Sequence, residues 1–522
     1  MLVQLALTVL GAVLFALAHP GFLLKNGSAF VGFIALIPIF LAVKKSSVKR
    51  SIVWGVLYGS LSYSLFTFWL VNYSVSLFVC AVISYAIILG IVFTVMKLVS
   101  IKSRFSMYVM ALVWCVYEYL RTLGPFGFSY GIIGYTQWQN PLMLSLSSLC
   151  GVWGASLCCA FFSAFIASVF IKYKYMCIRE YVIPFSVLVV SIVFLTVYHF
   201  KIFSVLDDAS FFRTVKVMSV QNNTDSEKTG IDVYKKDIKV LINLTESCFN
   251  DSMAVDFVLW PETAVVPPVQ YYYYNRIDYG RFNAIVEVLH FISRKNACFV
   301  IGNQHSEKDS EGIFRDYNAA LIFDSSYKSV IPPEPEVYRK THLVPFAECI
   351  PLKLLSFISD PLCVWTPGRF CSVFSKRGIC FCTPICFEDT FGSLCRKFVR
   401  NGAKCFFELS NDSWAKSDVC QWQHVSMAVF RSAENMVPAV RSTGSGVSCY
   451  INQFGRIEPG IIEEFEQGAA IYSVNVPLEG MHTLYTAFGD WLVVCEICLL
   501  IWFCMHRLVK RLSYVEKKRK ME

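Results

Sequence analysis

Apolar positions fall along this chain in two regimes. Over the first 200 residues and the last 35 they run in long blocks with few charges, whereas residues 204–486 carry an ordinary mixture of polar and apolar side chains. A helix crossing the hydrocarbon layer needs roughly 17 to 25 mostly apolar residues. Blocks of about that length predict seven spans before the mixed region, near Leu2–Ala18, Ala29–Val43, Ile52–Leu70, Leu77–Val99, Phe105–Leu120, Leu149–Ile171 and Val182–Phe200, and an eighth from Ala487 to Met505. The pattern divides the chain into a membrane domain over residues 1–203, a folded domain over 204–486, and a last span with a basic tail over 487–522.

Inside the mixed region the period shortens. Thr214–Gln221 alternates as a strand, Lys228–Asn250 allows a helix, and Asp256–Trp260 is a short buried strand. Arg281–Asn296 places Ile285, Leu289 and Ile292 on one helical face, and Cys298–Gly302, Tyr317–Phe323, Gly378–Cys382 and Cys405–Leu409 continue a sheet. Strands alternating with helices predict an α/β domain. Two aromatic or apolar segments break the rhythm, Tyr271–Tyr274 and Ile350–Phe374. In a domain tethered to a bilayer they are expected to face lipid, because Tyr and Trp favour the interface.

Composition and charge fix the sidedness. Mean hydropathy is +0.50 and only 16% of residues are charged, and cytoplasmic loops collect Lys and Arg. The loops after the second, fourth and sixth spans hold Lys44, Lys45, Lys49 and Arg50, then Lys97, Lys102 and Arg104, then Lys172, Lys174 and Arg179, and the tail adds seven more basic residues from Arg507 to Lys520. Loops of the other parity hold almost none, only Lys25 and Arg121. Both termini are therefore expected in the cytoplasm and the folded domain on the opposite side. The net charge of +9 is mainly a topology signal, so no nucleic-acid partner is expected. Leu2–Ala18 ends in a signal-peptidase-like Ala16-Leu17-Ala18, but no basic residue precedes it, and the segment is expected to be retained. Glu118 and Arg121 are spaced to pair on one helical face, and Glu496 in the eighth span is expected to take an interior hydrogen bond.

Candidate chemistry gathers at three points. Cys386 follows the strand-like Gly378–Cys382 and precedes the helix-like Thr390–Phe398, a sharp junction whose free backbone N–H groups can lower a thiol's pKa and receive an oxyanion. Glu262 ends the buried run Phe257-Val258-Leu259-Trp260-Pro261, and Lys340 stands eight residues before Glu348. An acid, a lysine and a cysteine, each at the edge of a β/α element, can supply a base, an oxyanion stabiliser and a nucleophile. The 21 cysteines set no disulfide framework, no ligand cluster implies a metal, and no glycine-rich loop implies a phosphate cofactor.

At these residues the chain resembles the nitrilase superfamily, which carries Glu, Lys and Cys in this order. It resembles more closely the membrane branch of that superfamily, the apolipoprotein N-acyltransferases. The matching segments are Trp260-Pro261-Glu262, Lys340 through Glu348, Cys386-Phe387-Glu388, Leu409 through Trp414, and Arg431 through Asn435. Asn222-Asn223 and Lys228-Thr229 depart from the family's usual Gly-Asn and Lys-Trp, and Phe387 replaces a frequent tyrosine.

The resemblance implies a polytopic helical membrane domain of eight spans joined to an α-β-β-α nitrilase-type sandwich. It further implies an enzyme without cofactor or metal, in which Cys386 is the nucleophile, Glu262 the general base and Lys340 the oxyanion stabiliser. Glu348, Glu388 and Phe387 are then expected to support them, and Trp414 and Trp260 to line the substrate. The implied reaction passes an acyl chain from a membrane phospholipid to the α-amino group of a diacylglyceryl-cysteine apolipoprotein, in the bacterial inner membrane with the catalytic domain in the periplasm. The alternative is a membrane-tethered amidase of a small C–N substrate, which gives no reason for eight spans.

Overall fold

The computed structural model of the chain describes residues 1–101, 103–172, 178–206, 209–224, 229–249, 254–350, 365–480 and 482–519. The chain forms two compact units, Met1–Leu123 with Gly127–His199 and Phe488–Glu522, and Gly124–Phe126 with Phe200–Ala487.

The first unit is helical. Among the described residues four helical segments are long and apolar enough to cross a membrane, Val75–Ser100, Val152–Ile171, Val182–Lys201 and Trp491–Lys510, and Leu2–Ala18 and Ser106–Leu120 are shorter apolar helices. Ala29–Val43 is two helices, Ala29–Ile34 and Ile37–Lys44, because Pro38 lacks an N–H and is tolerated only in a first turn. Gly151, at φ +69°, separates Pro141–Cys150 from Val152–Lys172, so Leu149 belongs to the earlier helix. The helix Val48–Phe66 starts ahead of the expected Ile52, where Ser47 Oγ accepts from Arg50 N at 3.4 Å. It lies close against Val75–Ser100 at Gly55 and Gly59. A Cβ at these positions would stand 2.3 Å from Leu89 O and 2.5 Å from Tyr85 O, so the small residues permit the approach.

Two polar expectations in this unit fail. Glu118 takes Ile133 N and Ser156 Oγ, each at 2.7 Å, while Arg121 goes to Tyr63 and the Tyr130 carbonyl, so the two do not pair. The backbone and hydroxyl donors that fold against Glu118 satisfy it before Arg121 can. Glu496 is buried, and neither of its carboxylate oxygens finds a partner among the described residues.

Among the described residues the second unit is built on eleven strands: β1 Phe212–Gln221, β2 Phe257–Val265, β3 Cys298–Lys308, β4 Phe314–Asp324, β5 Glu336–Arg339, β6 Phe374–Lys376, β7 Ile379–Phe381, β8 Phe406–Ser410, β9 Ala439–Thr443, β10 Cys449–Ile451 and β11 Gly468–Pro477. Six form a sheet in the order β11-β1-β2-β3-β4-β5, with β1, β2 and β3 parallel and the other pairs antiparallel. Three more form the sheet β10-β9-β8, and β6 pairs with β7. Alternation along β1 and β2 gives the large sheet two apolar faces. Met218, Val220, Val258 and Trp260 meet Ile238 and Leu241 of helix Ile231–Cys248 and Ile285, Val288, Leu289 and Ile292 of helix Tyr279–Ser293. Each such side chain contributes roughly 1.5–3 kcal/mol on burial. Phe257 points the other way, its ring 4.9 Å from Phe407 of the small sheet. Ser442 Oγ ties the sheets by donating to Val220 O and Leu259 O at 2.9 and 3.1 Å.

Tyr271–Tyr274 is not irregular. It belongs to a short helix, Val269–Asn275, in which Tyr272 and Tyr273 pack partly against the core and Tyr274 is exposed. Most of Ile350–Phe374 lies outside the described residues. Of the rest, Trp365 N, Thr366 N and Gly368 N donate to Glu348 O, Asp316 O and Lys340 O at 3.0, 2.8 and 2.7 Å, so this end of the segment is tied to the lysine loop.

Candidate active site

Strand ends bring the predicted residues together. Glu262 leaves β2 through an irregularity: register with β3 shifts between Trp260 and Val265, and Thr263 takes φ +48°. Gly302 on β3 makes room, since a Cβ there would stand 2.2 Å from Pro261 O and 2.6 Å from Glu262 Cα. Lys340 follows β5, with its N–H donating to Asn318 O at 2.8 Å. Cys386 opens a single 3-10 turn, Cys386–Thr390, at φ +49°, a left-handed conformation that costs of order 1–3 kcal/mol for a residue with a Cβ. Ile385, just before it, bridges to Leu409 of β8 and so fixes where the turn starts.

The acids and the lysine form one buried cluster. Lys340 Nζ lies 3.3 Å from Glu262 Oε1 and 2.9 Å from Glu348 Oε1. Asn318 Nδ2 donates to the same two oxygens at 2.7 and 2.9 Å, and Val344 N donates to Glu348 Oε2 at 2.8 Å. Glu262 Oε2 is left without a hydrogen-bond partner among the described residues. Lys340 is 1% exposed and Glu262 and Cys386 are each 7% exposed, so water screens this charge poorly.

Burial opposes charge throughout the cluster. It lifts the Glu262 carboxyl above its ordinary value, with Lys340 pulling the other way and Glu348 adding to the rise. It works against the Lys340 charge, but Glu262 and Glu348 outweigh it and keep the ammonium protonated well beyond the usual lysine range. For Cys386 the structure corrects the expected low thiol pKa. Burial raises it well above the ordinary value, Glu262 raises it further, and the help of Lys340 does not compensate. A turn of five residues has too little dipole to reverse that. The resting group is a thiol, and its ionisation requires a base.

Glu388 joins two of these elements. Its Oε1 accepts from Tyr338 Oη, Thr341 N, Thr341 Oγ1 and His342 N at 2.7, 2.7, 2.8 and 3.1 Å, and its Oε2 accepts from Ile385 N at 2.9 Å. One buried carboxylate thus pins the loop of Lys340 to the turn of Cys386. Phe387 stands edge-on to Phe391, centroids 4.9 Å apart. Trp414 is half-buried in the turn Ser413–Ala415. Trp260 lines no substrate site: it is fully buried, stacks on Phe291 at 6.1 Å, and donates from its indole to Thr245 Oγ1 at 3.0 Å. Its side chain falls on the helix-facing side of β2, which the alternation of the strand dictates.

The structure adds residues that sequence reading missed. Asn318 bridges the two glutamates from the middle of β4. Behind Cys386 lies a buried chain of charges: Asp412 Oδ1 is 3.8 Å from the sulfur, Asp412 Oδ2 is 2.9 Å from His424 Nδ1, and His424 Nε2 is 2.7 Å from Asp389 Oδ1. Arg441 closes the chain on Asp389 and Glu408. Asp412 sat inside a matched motif, but nothing local marks His424 or Arg441. Asp389, Glu408 and His424 bring ligand atoms within 4.8 Å of one another, yet the Arg441 guanidinium already supplies the cation between those carboxylates, so the set does not fit a metal. Cys380, Cys382 and Cys386 are all free thiols. A cavity of about 360 Å³ on this unit, lined by Pro267, Tyr271, Gln304 and Asp316 among others, includes none of Glu262, Lys340 and Cys386.

Two sheets with an acid, a lysine and a cysteine at their strand ends define a carbon–nitrogen hydrolase domain, and residues 216–482 match the family model described as carbon-nitrogen hydrolase. Residues 11–165 match a second model, the apolipoprotein N-acyltransferase N-terminal domain. Apolipoprotein N-acyltransferase 1 of Treponema denticola is 38% identical over 97% of this chain and 97% of its own length. That of Treponema pallidum is 36% identical over 95% of both chains, and the apolipoprotein N-acyltransferase of Borreliella burgdorferi is 25% identical over 93% of this chain and 92% of its own. The chain belongs to the apolipoprotein N-acyltransferase family.

Proposed function

We propose that the protein moves a fatty acyl chain from a membrane phospholipid to Cys386, and from there to the α-amino group of the N-terminal S-diacylglyceryl cysteine of a lipoprotein. Glu262 Oε2, without a hydrogen-bond partner among the described residues, takes the proton of the Cys386 thiol as the sulfur attacks the ester carbonyl. The tetrahedral oxyanion forms against Lys340, whose ammonium has three N–H donors and spends two on Glu262 and Glu348. The intermediate collapses by breaking the C–O bond, and Glu262 returns its proton to the departing lysophospholipid. The acceptor amine then attacks the thioester. Glu262 removes a proton from the nitrogen and restores it to the sulfur as the C–S bond breaks.

The observation that carries this reading is that Glu262 and Lys340 are in contact and both act electrostatically on the buried Cys386. Proton transfer between Glu262 and Cys386 leaves the net charge of that cluster unchanged, so the low dielectric does not penalise it. The eight predicted spans and the loop charges support placing the enzyme in a bacterial inner membrane with its catalytic unit in the periplasm. Purified protein given phospholipid and a synthetic diacylated lipopeptide should yield an N-acylated peptide and lysophospholipid in equal amounts. Release of free fatty acid without peptide acylation would make it a hydrolase instead.

A further inference from the structure

The charged chain behind Cys386 has no part in the proton shuttle just described, yet one end of it faces the sulfur. His424 is fully buried, and each of its ring nitrogens meets a carboxylate, Asp412 Oδ2 at 2.9 Å and Asp389 Oδ1 at 2.7 Å. The two aspartates drive the ring toward the imidazolium and the ring drives them toward carboxylates, in which state both ring nitrogens donate and both acids only accept. Asp389 is held in turn by Arg441, which also meets Glu408. Ser410 Oγ donates to Asp412 Oδ2 at 3.3 Å. Asp412 is therefore fixed as a carboxylate whose remaining oxygen, Oδ1, has the Cys386 sulfur at 3.8 Å.

We propose that Asp412, clamped by His424, is a positioning residue for the nucleophile: it accepts the S–H of Cys386 at rest and holds the thiol protonated until the acyl ester and Glu262 engage it. The inference rests on reading Cys386 as the nucleophile. A carboxylate beside the sulfur repels a thiolate, so the side chain stays a neutral, aimed thiol instead of an anion open to oxidation. Other charged groups face Cys386 from Glu262 at the end of β2 and Lys340 after β5, and their contributions oppose one another. Asp412 itself faces His424, Arg441 and Asp389. The downward direction of the Asp389 and Asp412 carboxyls and the upward direction of the His424 imidazole agree with the clamped charges, although burial alone acts against each. Asp412 transfers no proton to substrate in this account. Its effect is on the pH at which the nucleophile becomes available.

The test is the pH profile of Cys386 alkylation by iodoacetamide in the detergent-solubilised full-length protein, read by peptide mass. Wild type should inflect above the ordinary thiol value. Asp412→Asn should move the inflection down by about 1 to 3 pH units, the usual effect of removing one nearby charge, and the acid limb of thioester formation should keep its position because Glu262 sets it. An Asp412→Asn profile that superimposes on wild type would overturn the proposal. If that variant does not fold, two measurements on wild type still decide. Nitrogen-15 histidine NMR should find one imidazole protonated at both nitrogens through pH 9, and the alkylation inflection should be high. A neutral His424 ring or an inflection below the ordinary thiol value would refute the clamp. Failure of wild type to form any thioester on Cys386 refutes the functional reading instead, whatever the profile shows.

Discussion

Glu388→Gln isolates the carboxylate that couples the lysine loop to the nucleophile turn. Glu388 Oε1 collects three donors from the lysine loop, Thr341 N, Thr341 Oγ1 and His342 N, while Oε2 collects Ile385 N, and Tyr338 Oη lies within reach of both oxygens. A glutamine must place its amide nitrogen against one of these groups. Turned toward Ile385 it confronts a single N–H, and turned the other way it confronts two backbone N–H groups, so the first orientation wins. The buried Ile385 N–H is then orphaned at about 1–3 kcal/mol, and the remaining bonds fall from the charge-assisted range of about 1.5–3 kcal/mol to the neutral range near 1. With each of the four bonds on the other oxygen losing at least ~0.5 kcal/mol, the total is at least about 3 kcal/mol. Because Ile385 immediately precedes Cys386, part of that appears as misplacement of the sulfur, and an error of about 1 Å costs on the order of 100-fold in rate. Single-turnover acylation by phospholipid should slow by about 100-fold with KM changed less than about threefold, and the catalytic unit should melt at a lower temperature. Acylation within about threefold of wild type in both Glu388→Gln and Glu388→Ala would refute the coupling, because no aligned turn would then depend on this carboxylate.

Two further outcomes follow from the same geometry. Gly302→Ala should displace Glu262, since the three atoms nearest the new Cβ are all backbone, Pro261 O at 2.2 Å first; acylation should fall by at least ~10-fold and the loss should not be repaired by raising phospholipid concentration, and wild-type kinetics would contradict it. The pH dependence of kcat/KM should carry an acid limb set by Glu262. Burial raises that carboxyl and the base form is the active one, so activity should climb with pH through a value above the ordinary ~4.3 of glutamate. Glu262→Gln should remove the limb and slow acylation by at least ~100-fold; a limb that survives in this variant belongs to another group.

The reading from sequence succeeded where one local pattern decides an element. The alternation from Thr214 to Gln221 became β1, and the face of Ile285, Leu289 and Ile292 became the buried side of a helix. It slipped where backbone chemistry overrides hydropathy, as at Pro38 and Gly151, which cut two expected spans. It misassigned Trp260 because a residue two positions before a predicted base was taken to share its surroundings, although the irregularity between Trp260 and Val265 breaks the alternation of β2. The thiol pKa was misjudged for a different reason. A strand-to-helix junction is visible in sequence, but the depth at which it is buried and the two carboxylates around it are products of tertiary folding. Asn318, His424 and Arg441 lie 56, 38 and 55 residues from Glu262 or Cys386, and no spacing rule connects residues that meet only through sheet packing.

The central claim is that an acyl group rests on Cys386 between donor and acceptor. Purified protein incubated with phospholipid and no amine acceptor should gain the mass of one acyl chain. Neutral hydroxylamine should remove it, as it does a thioester, and Cys386→Ala should never acquire it. Acylation of a diacylated lipopeptide by Cys386→Ala, or transfer in wild type with no mass gain at any time during turnover, would contradict the claim and require direct transfer from phospholipid to amine.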